Sequence, residues 1–172
     1  MSETALPPLV ESWLGQPVIV IDHVVTAEVG LWLNFCVAVQ DGNPLYWNYA
    51  AALEITGEVI APPAMLPSWG VTHDWSPGMT GPPLRTLELH FMVKEALGLP
   101  NGLVTEVELE LHDPVRAGES LRVEQVLREV GAPRTTRLGP GRNWTIDVVY
   151  RKPGDVLAGV QTLRFLGYRT AS

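Results

Sequence analysis

The arrangement of apolar and polar positions divides the chain in two. Up to about Trp75 the pattern is mainly helical, and after Pro83 it is mainly that of strands. From Thr26 onward, Val29, Trp32, Phe35, Cys36 and Val39 recur at three- and four-residue steps, which predicts one apolar helical stripe. Thr26 suits the N-cap, and Glu28 falls in the first turn, where the helix dipole favours an anion. Asp41-Gly42-Asn43-Pro44 ends this helix: Gly42 permits a positive φ, and Pro44 disfavours α conformation at Asn43. Asn48 caps a second, short helix through Glu54, with Gly57 at its end. Pro62-Pro63 cannot lie inside a helix but can open one, so about Pro63 to His73 is predicted as a third helix, with Pro67 straining its first turns. Ala64, Met65, Leu66, Trp69 and Val71 make that helix apolar nearly all round, which predicts burial.

The stretch from His73 to Pro83 holds two glycines and three prolines and reads as a loop. Five strand-like runs follow: Arg85–Val93, Leu103–Leu111, Ser120–Val130, Asn143–Arg151 and Val156–Phe165. Trp144, Ile146, Val148 and Tyr150 alternate with Thr145, Asp147, Val149 and Arg151, the period of a half-buried strand. Turn residues separate the runs at Asp113-Pro114, Ala117-Gly118, Gly131-Ala132-Pro133 and Pro153-Gly154-Asp155, as in an antiparallel meander. One such sheet against a buried helix is an α+β domain, and residues 1–172 are read as a single one.

The composition adds exclusions. With 46% hydrophobic and 18% charged residues the chain can build a core. Its net charge of −7 argues against a nucleic-acid partner. An anionic carrier such as coenzyme A would need a local basic cluster. Cys36 is the sole cysteine, which excludes a disulfide frame or a cysteine zinc site, and Phe35 and Val37 beside it suit a small buried thiol. The N-terminal residues lack a basic segment followed by an apolar run, and no apolar stretch approaches the roughly 20 residues of a membrane span. The expectation is a soluble cytoplasmic protein away from membranes.

Three blocks resemble a known family. Phe35 to Tyr46 is similar to the hydratase motif of MaoC-like proteins, roughly F-A-x-x-x-G-D-x-N-P-[LIV]-H, and Ala50-Ala51-Ala52 matches the Ala-rich helix that follows it. Ile60-Ala61-Pro62-Pro63 resembles the I-A-P-P that opens the central helix in the FAS1-like dehydratase branch. Leu138-Gly139-Pro140-Gly141-Arg142-Asn143-Trp144 is similar to that branch's L-G-x-G-x-x-W/F turn. The set, in this order, is that of the MaoC-like domains of steroid side-chain enoyl-CoA hydratases, and it covers about Trp13 to Tyr168. The resemblance implies a hot-dog fold, a curved antiparallel sheet wrapped around one helix. It also implies an acyl-CoA or acyl carrier protein thioester as substrate, no cofactor, and an active site completed across a self-dimer or by a MaoC-like partner subunit.

Hydrating an enoyl thioester requires a base for water, an acid for the α-carbon and donors for the enolate oxygen. The family motif supplies an Asp and a His five residues later. Here the Asp position is Asp41 and the His position is Tyr46. A phenol with an ordinary pKa near 10 is a poor base at neutral pH, but it can donate a hydrogen bond. Either Asp41 remains catalytic while Tyr46 orients water or thioester, or this chain is the altered half of a heteromer whose partner supplies Asp and His. Asp41 also suits a plain helix-ending turn.

Asn43, Pro62, Pro63 and Arg142 are the implied substrate-binding positions. Arg134, Arg137 and Arg142 cluster around a predicted hairpin and can meet coenzyme A phosphates or stay solvated. Trp69 and Trp75 fit an acyl pocket or a core. The histidines, His23, His73, His90 and His112, show no metal-ligand spacing, and His90 reads as a strand residue with a satisfied ring. A hot-dog thioesterase and an acyl-binding partner without chemistry of its own are the competing readings.

Overall fold

A computed structural model of the chain describes residues 5–72, 75 and 77–170, without the side chains of residues 23 and 24. His73, and the side chain of His23, lie outside the described residues. Helix α1 (Pro8–Ser12) leads into strand β1 (Pro17–Thr26). Helices α2 (Val29–Val39), α3 (Pro44–Trp47) and α4 (Tyr49–Thr56) follow, then a 3-10 helix, Pro63–Gly70, and helix α5 (Glu88–Ala96). The remaining strands are β2 (Asn101–Leu111), β3 (Ser120–Val130), β4 (Arg134–Thr136), β5 (Gly139–Lys152) and β6 (Val156–Tyr168). They form one six-stranded antiparallel sheet in the order β1-β3-β5-β6-β2, with β4 paired to β5. A curved antiparallel sheet with helices on its inner face is the hot-dog fold the sequence implies.

On β5, Trp144, Ile146, Val148 and Tyr150 enter the core as predicted, but the strand is not half-buried: Thr145 and Asp147 on the other face are buried too, held in polar contacts with Glu129, Arg128 and Thr162. The buried 3-10 helix packs against β1, β3 and β6 through Met65, Leu66, Trp69 and Gly70. It replaces the predicted α-helix. Pro67 has no N–H to donate, and its ring would clash with the carbonyl four residues back in α geometry. The tighter coil begins with Met65 N–H donating to Pro62 O at 2.9 Å, an i to i+3 bond. Two glycines let this coil reach the sheet. A Cβ on Gly70 would lie 2.8 Å from Val123 Cγ2, and one on Gly159 would lie 2.5 Å from both Leu66 Cδ2 and Glu110 O.

Other expectations need correction. Pro17–Thr26 is a strand paired with β3, which the mainly helical reading of the first half omits. Thr26 therefore ends β1 opposite Ser120, and Glu28, with no side-chain cap bond, holds the N-cap position of α2. On α2, Trp32 and Cys36 are buried as the stripe predicts, whereas Val39 is exposed. The predicted strand Arg85–Val93 is instead the helix α5 with the turn before it. Gln125, wholly buried on β3, holds this helix: its Oε1 accepts from Leu89 N–H at 3.0 Å and its Nε2 donates to Thr86 O at 2.8 Å. A distant side chain thus satisfies one of the N–H groups that a helix start leaves open and ties down the carbonyl just before it.

His90 is on α5, not on a strand, and its ring is not satisfied. It stacks on Phe165 at 4.2 Å between ring centroids, and Nδ1 is buried without a hydrogen-bond partner. Burial, with help from Lys94 and Arg85, pushes its pKa down from 6.5 to about 4. Between those values the unfolded chain binds a proton that the folded chain refuses, so stability falls as pH drops from about 6.5 to about 4 and is unaffected by this group above that window. His90→Phe should flatten denaturant-midpoint stability across the window by on the order of 2–3 kcal/mol. An unchanged slope would show that His90 titrates normally.

Candidate functional site

The motif residues lie at the junction of α2 and α3. Helix α2 ends on Gln40, which takes the left-handed conformation at φ 56°, while Asp41 N–H donates to Cys36 O at 2.9 Å. The positive φ thus falls on Gln40 rather than on Gly42. Asp41 Oδ1 accepts from Asn43 N–H at 2.9 Å, and Asn43 Oδ1 accepts from Leu45 N–H at 3.1 Å. Two successive side-chain turns fix the start of α3, and Pro44 supplies its first residue. Asn48 caps α4 by accepting from Ala50 and Ala51, as predicted.

Trp47 is a participant that the sequence reading omits. Its Nε1 donates to the backbone carbonyl of Asp41 at 2.7 Å, so the residue beside Tyr46 ties α3 back onto the Asp41 turn. A hydrogen bond across six residues leaves no periodic signature. Tyr46 is half-buried, and burial, Asp41 and Cys36 together raise its phenol above the ordinary value. Burial and Asp41 likewise push the Cys36 thiol up. Tyr46 and Cys36 therefore stay protonated beside the Asp41 carboxylate, and Tyr46 is a donor rather than a base.

The other predicted site residues stand elsewhere. Pro62 and Pro63 line an apolar cavity of about 230 Å³ with Ala61, Leu66, Trp69 and Ala158; Asp41, Asn43 and Tyr46 do not line it. Arg142, buried on β5, lines a larger open groove of about 640 Å³ with Arg134 and Arg169. Arg137 faces a different surface depression, beside Thr136 and Leu138. Arg169 replaces it in the cluster, held by Nη2 donating to Gly98 O at 2.7 Å. The sequence reading misses Arg169 because it lies far from the hairpin in sequence and reaches Pro140 through strand pairing and a backbone bond at 2.9 Å. Trp75 is 72% exposed and is no core residue. Among the described residues, no three His, Cys, Asp or Glu side chains are grouped to hold a metal ion, and no helix is long and apolar enough to cross a membrane.

A charged knot anchors the cavity's rim. Arg116 Nε bonds Glu58 at 2.5 Å and its Nη1 bonds Asp113 at 2.9 Å. Lys152, its side chain 5% exposed, contacts Asp113 and reaches Glu119 at 3.4 Å and Pro114 O at 3.1 Å. Lys152, with Arg116, holds the Asp113 carboxyl below its ordinary range. The knot pins Ile60, bridged to Arg116, and so places Pro62 and Pro63.

With this geometry the chain meets its relatives. Residues 13–157 match the FAS1-like dehydratase domain region, so the chain belongs to that family, the FAS1-like branch of the MaoC-like hydratases and dehydratases. It is 27% identical over 97% of its length to a probable enoyl-CoA hydratase alpha subunit of Thermomonospora curvata, and spans about half (52%) of that relative. In fold it is similar to a chain of the ChsH1–ChsH2 complex from Mycobacterium tuberculosis, with a TM-score of 0.76 and 24% identity, covering 95% of this chain and 89% of that one. It is likewise similar to the R-hydratase PhaJ1 of Pseudomonas aeruginosa, with a TM-score of 0.56 and 14% identity over 91% of this chain and 82% of that one.

Replacing Lys152 with Met should leave Asp113 and Glu119 with Arg116 as their remaining cation, at a cost of about 2 kcal/mol. Thermal unfolding should fall by roughly 4–8 °C for a chain this size. A melting temperature within about 2 °C of wild type would mean that Arg116 and solvent, not Lys152, balance these carboxylates.

Proposed function

We propose that this chain is a subunit of an enoyl-CoA hydratase or 3-hydroxyacyl thioester dehydratase, the altered half that works beside a MaoC-like partner carrying both Asp and His. One observation carries this reading. The motif's histidine position holds Tyr46, and its surroundings raise the phenol's pKa. Hydration needs a group that both takes and gives a proton near neutral pH, which an imidazole does and this phenol does not. Asp41 has one oxygen engaged by the Asn43 amide, so a lone carboxylate would have to serve both water and α-carbon. The resemblance suggests a bulky acyl group of the steroid side-chain type, and the reaction requires no cofactor.

Two further features support a partner. Strand β2 ends the sheet, pairs among the described residues with β6 alone, and leaves Leu103, Val104, Val107 and Leu111 exposed. Helices α2 and α4 expose Leu31, Val37, Val39, Leu53 and Ile55. Such surface on a small domain fits coverage by a second hot-dog unit. The relatives include a protein named as an alpha subunit and a chain from a two-component complex. The same surface would serve an acyl-binding partner with no chemistry of its own, which the Asn43-engaged Asp41 carboxylate also fits.

Crotonyl-CoA hydration, followed by loss of enoyl absorbance, tests the reading. The chain alone should be nearly inactive, and an Asp/His-bearing MaoC-like partner should restore activity. If the half-site is otherwise intact, Tyr46→His should raise the lone chain's rate by about 10²-fold. Ordinary turnover by the lone wild-type chain, unaltered by Tyr46→Phe, would overturn the proposal, and release of free thiol would point to a thioesterase.

The groove around Arg134, Arg142 and Arg169 suits the phosphates of a coenzyme A carrier. Arg134→Ser with Arg169→Ser should weaken acyl-CoA binding by the complex about tenfold, with a shallower salt dependence, and leave binding of a short acyl-pantetheine unchanged. Equal loss for both ligands would remove the groove from carrier recognition.

A further inference from the structure

The chain has 19 acidic and 12 basic residues, yet part of its positive charge is left unneutralised and lies in one place. Elsewhere the cations pair with carboxylates, as Arg116, Lys152, Arg128 and Arg164 do. Among the described residues, Lys94, Arg134 and Arg169 form no ion pair. Arg169 and Leu99 line both the groove that holds Arg134 and a second depression of about 580 Å³, which holds Lys94, Phe91 and Arg85. The two are therefore continuous, with Arg169 at their junction. It is pinned there by its Nη2, which donates to Gly98 O at 2.7 Å, and by its backbone N–H, which donates to Pro140 O at 2.9 Å. Glu95 is the sole acid among the described residues that line either depression.

The second depression contains a flat, fixed surface. Arg85 Cζ lies 3.9 Å from the centroid of the Phe91 ring, so one face of the guanidinium rests on the aromatic ring. Glu88 holds its edge: Nε donates to Oε2 at 2.9 Å and Nη2 donates to Oε1 at 2.6 Å. With one face and one edge engaged, the plane is set before any ligand arrives. The Arg85 side chain is 49% exposed, which leaves the other face open. A guanidinium plane stacks well on flat π systems, purine bases among them. Because Glu88 balances its charge, Arg85 offers this surface rather than a cation for a phosphate. Lys94, one turn further along α5, supplies the unpaired cation, with Nζ 5.7 Å from the centroid of the same Phe91 ring.

We infer that the two depressions form one site for the 3′-phosphoadenosine diphosphate end of coenzyme A. The base lies on the Arg85 guanidinium, the 3′-phosphate meets Lys94, and the diphosphate runs past Arg169 toward Arg134. The inference rests on the acyl-thioester reading for the carrier, and it narrows that carrier to coenzyme A. The arm of an acyl carrier protein has a phosphate but no purine, so it leaves the Arg85 face empty.

Three ligands without an acyl group test this on the full chain by calorimetric titration: coenzyme A, 3′-dephospho-coenzyme A and 4′-phosphopantetheine. Arg85→Lys keeps a charge beside Glu88 but removes the plane. It should weaken both nucleotide-bearing ligands about 10-fold, within the range of one base stack, and leave phosphopantetheine unchanged. Coenzyme A should bind about 5-fold more tightly than the dephospho form, as an exposed ion pair allows, and Lys94→Met should remove that difference. Coenzyme A affinity unaltered by Arg85→Lys, equal affinities of coenzyme A and its dephospho form in wild type, or no binding of coenzyme A would each overturn the inference. None of the ligands can be hydrated, so a chain that binds them as expected and yet never supports hydration would sink the hydratase reading and leave this site standing.

Discussion

The fold turns on the proline-limited coil from Pro63 to Gly70 and its contact with the sheet. Pro67 makes an α-helix costly at this point, so the buried segment winds as the narrower 3-10 form. A narrower coil fills less of the space inside a sheet. It comes closest to the strands where side chains are missing, at Gly70 against Val123 and Tyr150 and at Gly159 against Leu66. Where Ala158 stands instead, the gap remains as the apolar cavity. Helix α5, clamped by Gln125, covers another part of the same inner face.

Local chemistry was legible in the sequence, and distant pairing was not. The inward residues of β5, the Asn48 cap and the break after Val39 each depend on neighbours within a few residues, and each appears in the structure. The family resemblance rested on short blocks of that kind. Strand β1 was hidden because its run from Val18 to Ile21 is apolar throughout, with no alternation to mark it. Helix α5 is hidden because Leu87, Leu89, Phe91 and Val93 alternate as in a strand, and the buried clamp on its first turn, Gln125, lies 36 residues beyond Leu89. The candidate site divided along the same line. The Asp41 to Tyr46 turn is local and was readable, whereas Trp47's bond to Asp41 and the convergence of Arg169 with Arg134 depend on three-dimensional placement.

The residues associated with chemistry occupy three places rather than one pocket. The Asp41–Tyr46 turn, the cavity behind Pro62 and Pro63, and the arginine groove have no lining residues in common. A catalytic centre made within one chain would bring acid, base and substrate pocket within hydrogen-bond reach of each other.

Strand β2 places Glu106, Glu108 and Glu110 at every second position of an exposed sheet edge. Arg164 on β6 engages Glu106 at 2.7 Å and lies 3.8 Å from Glu108, while Glu110 meets His112 at 3.0 Å. An identical strand laid antiparallel along this edge would bring two such acidic rows together, and like charges across a strand pair are unfavourable. A strand bearing lysines or arginines on the matching face would gain where the identical one loses. A row of like charge on a strand edge works against pairing with the same row, a selectivity made by repulsion as much as by fit.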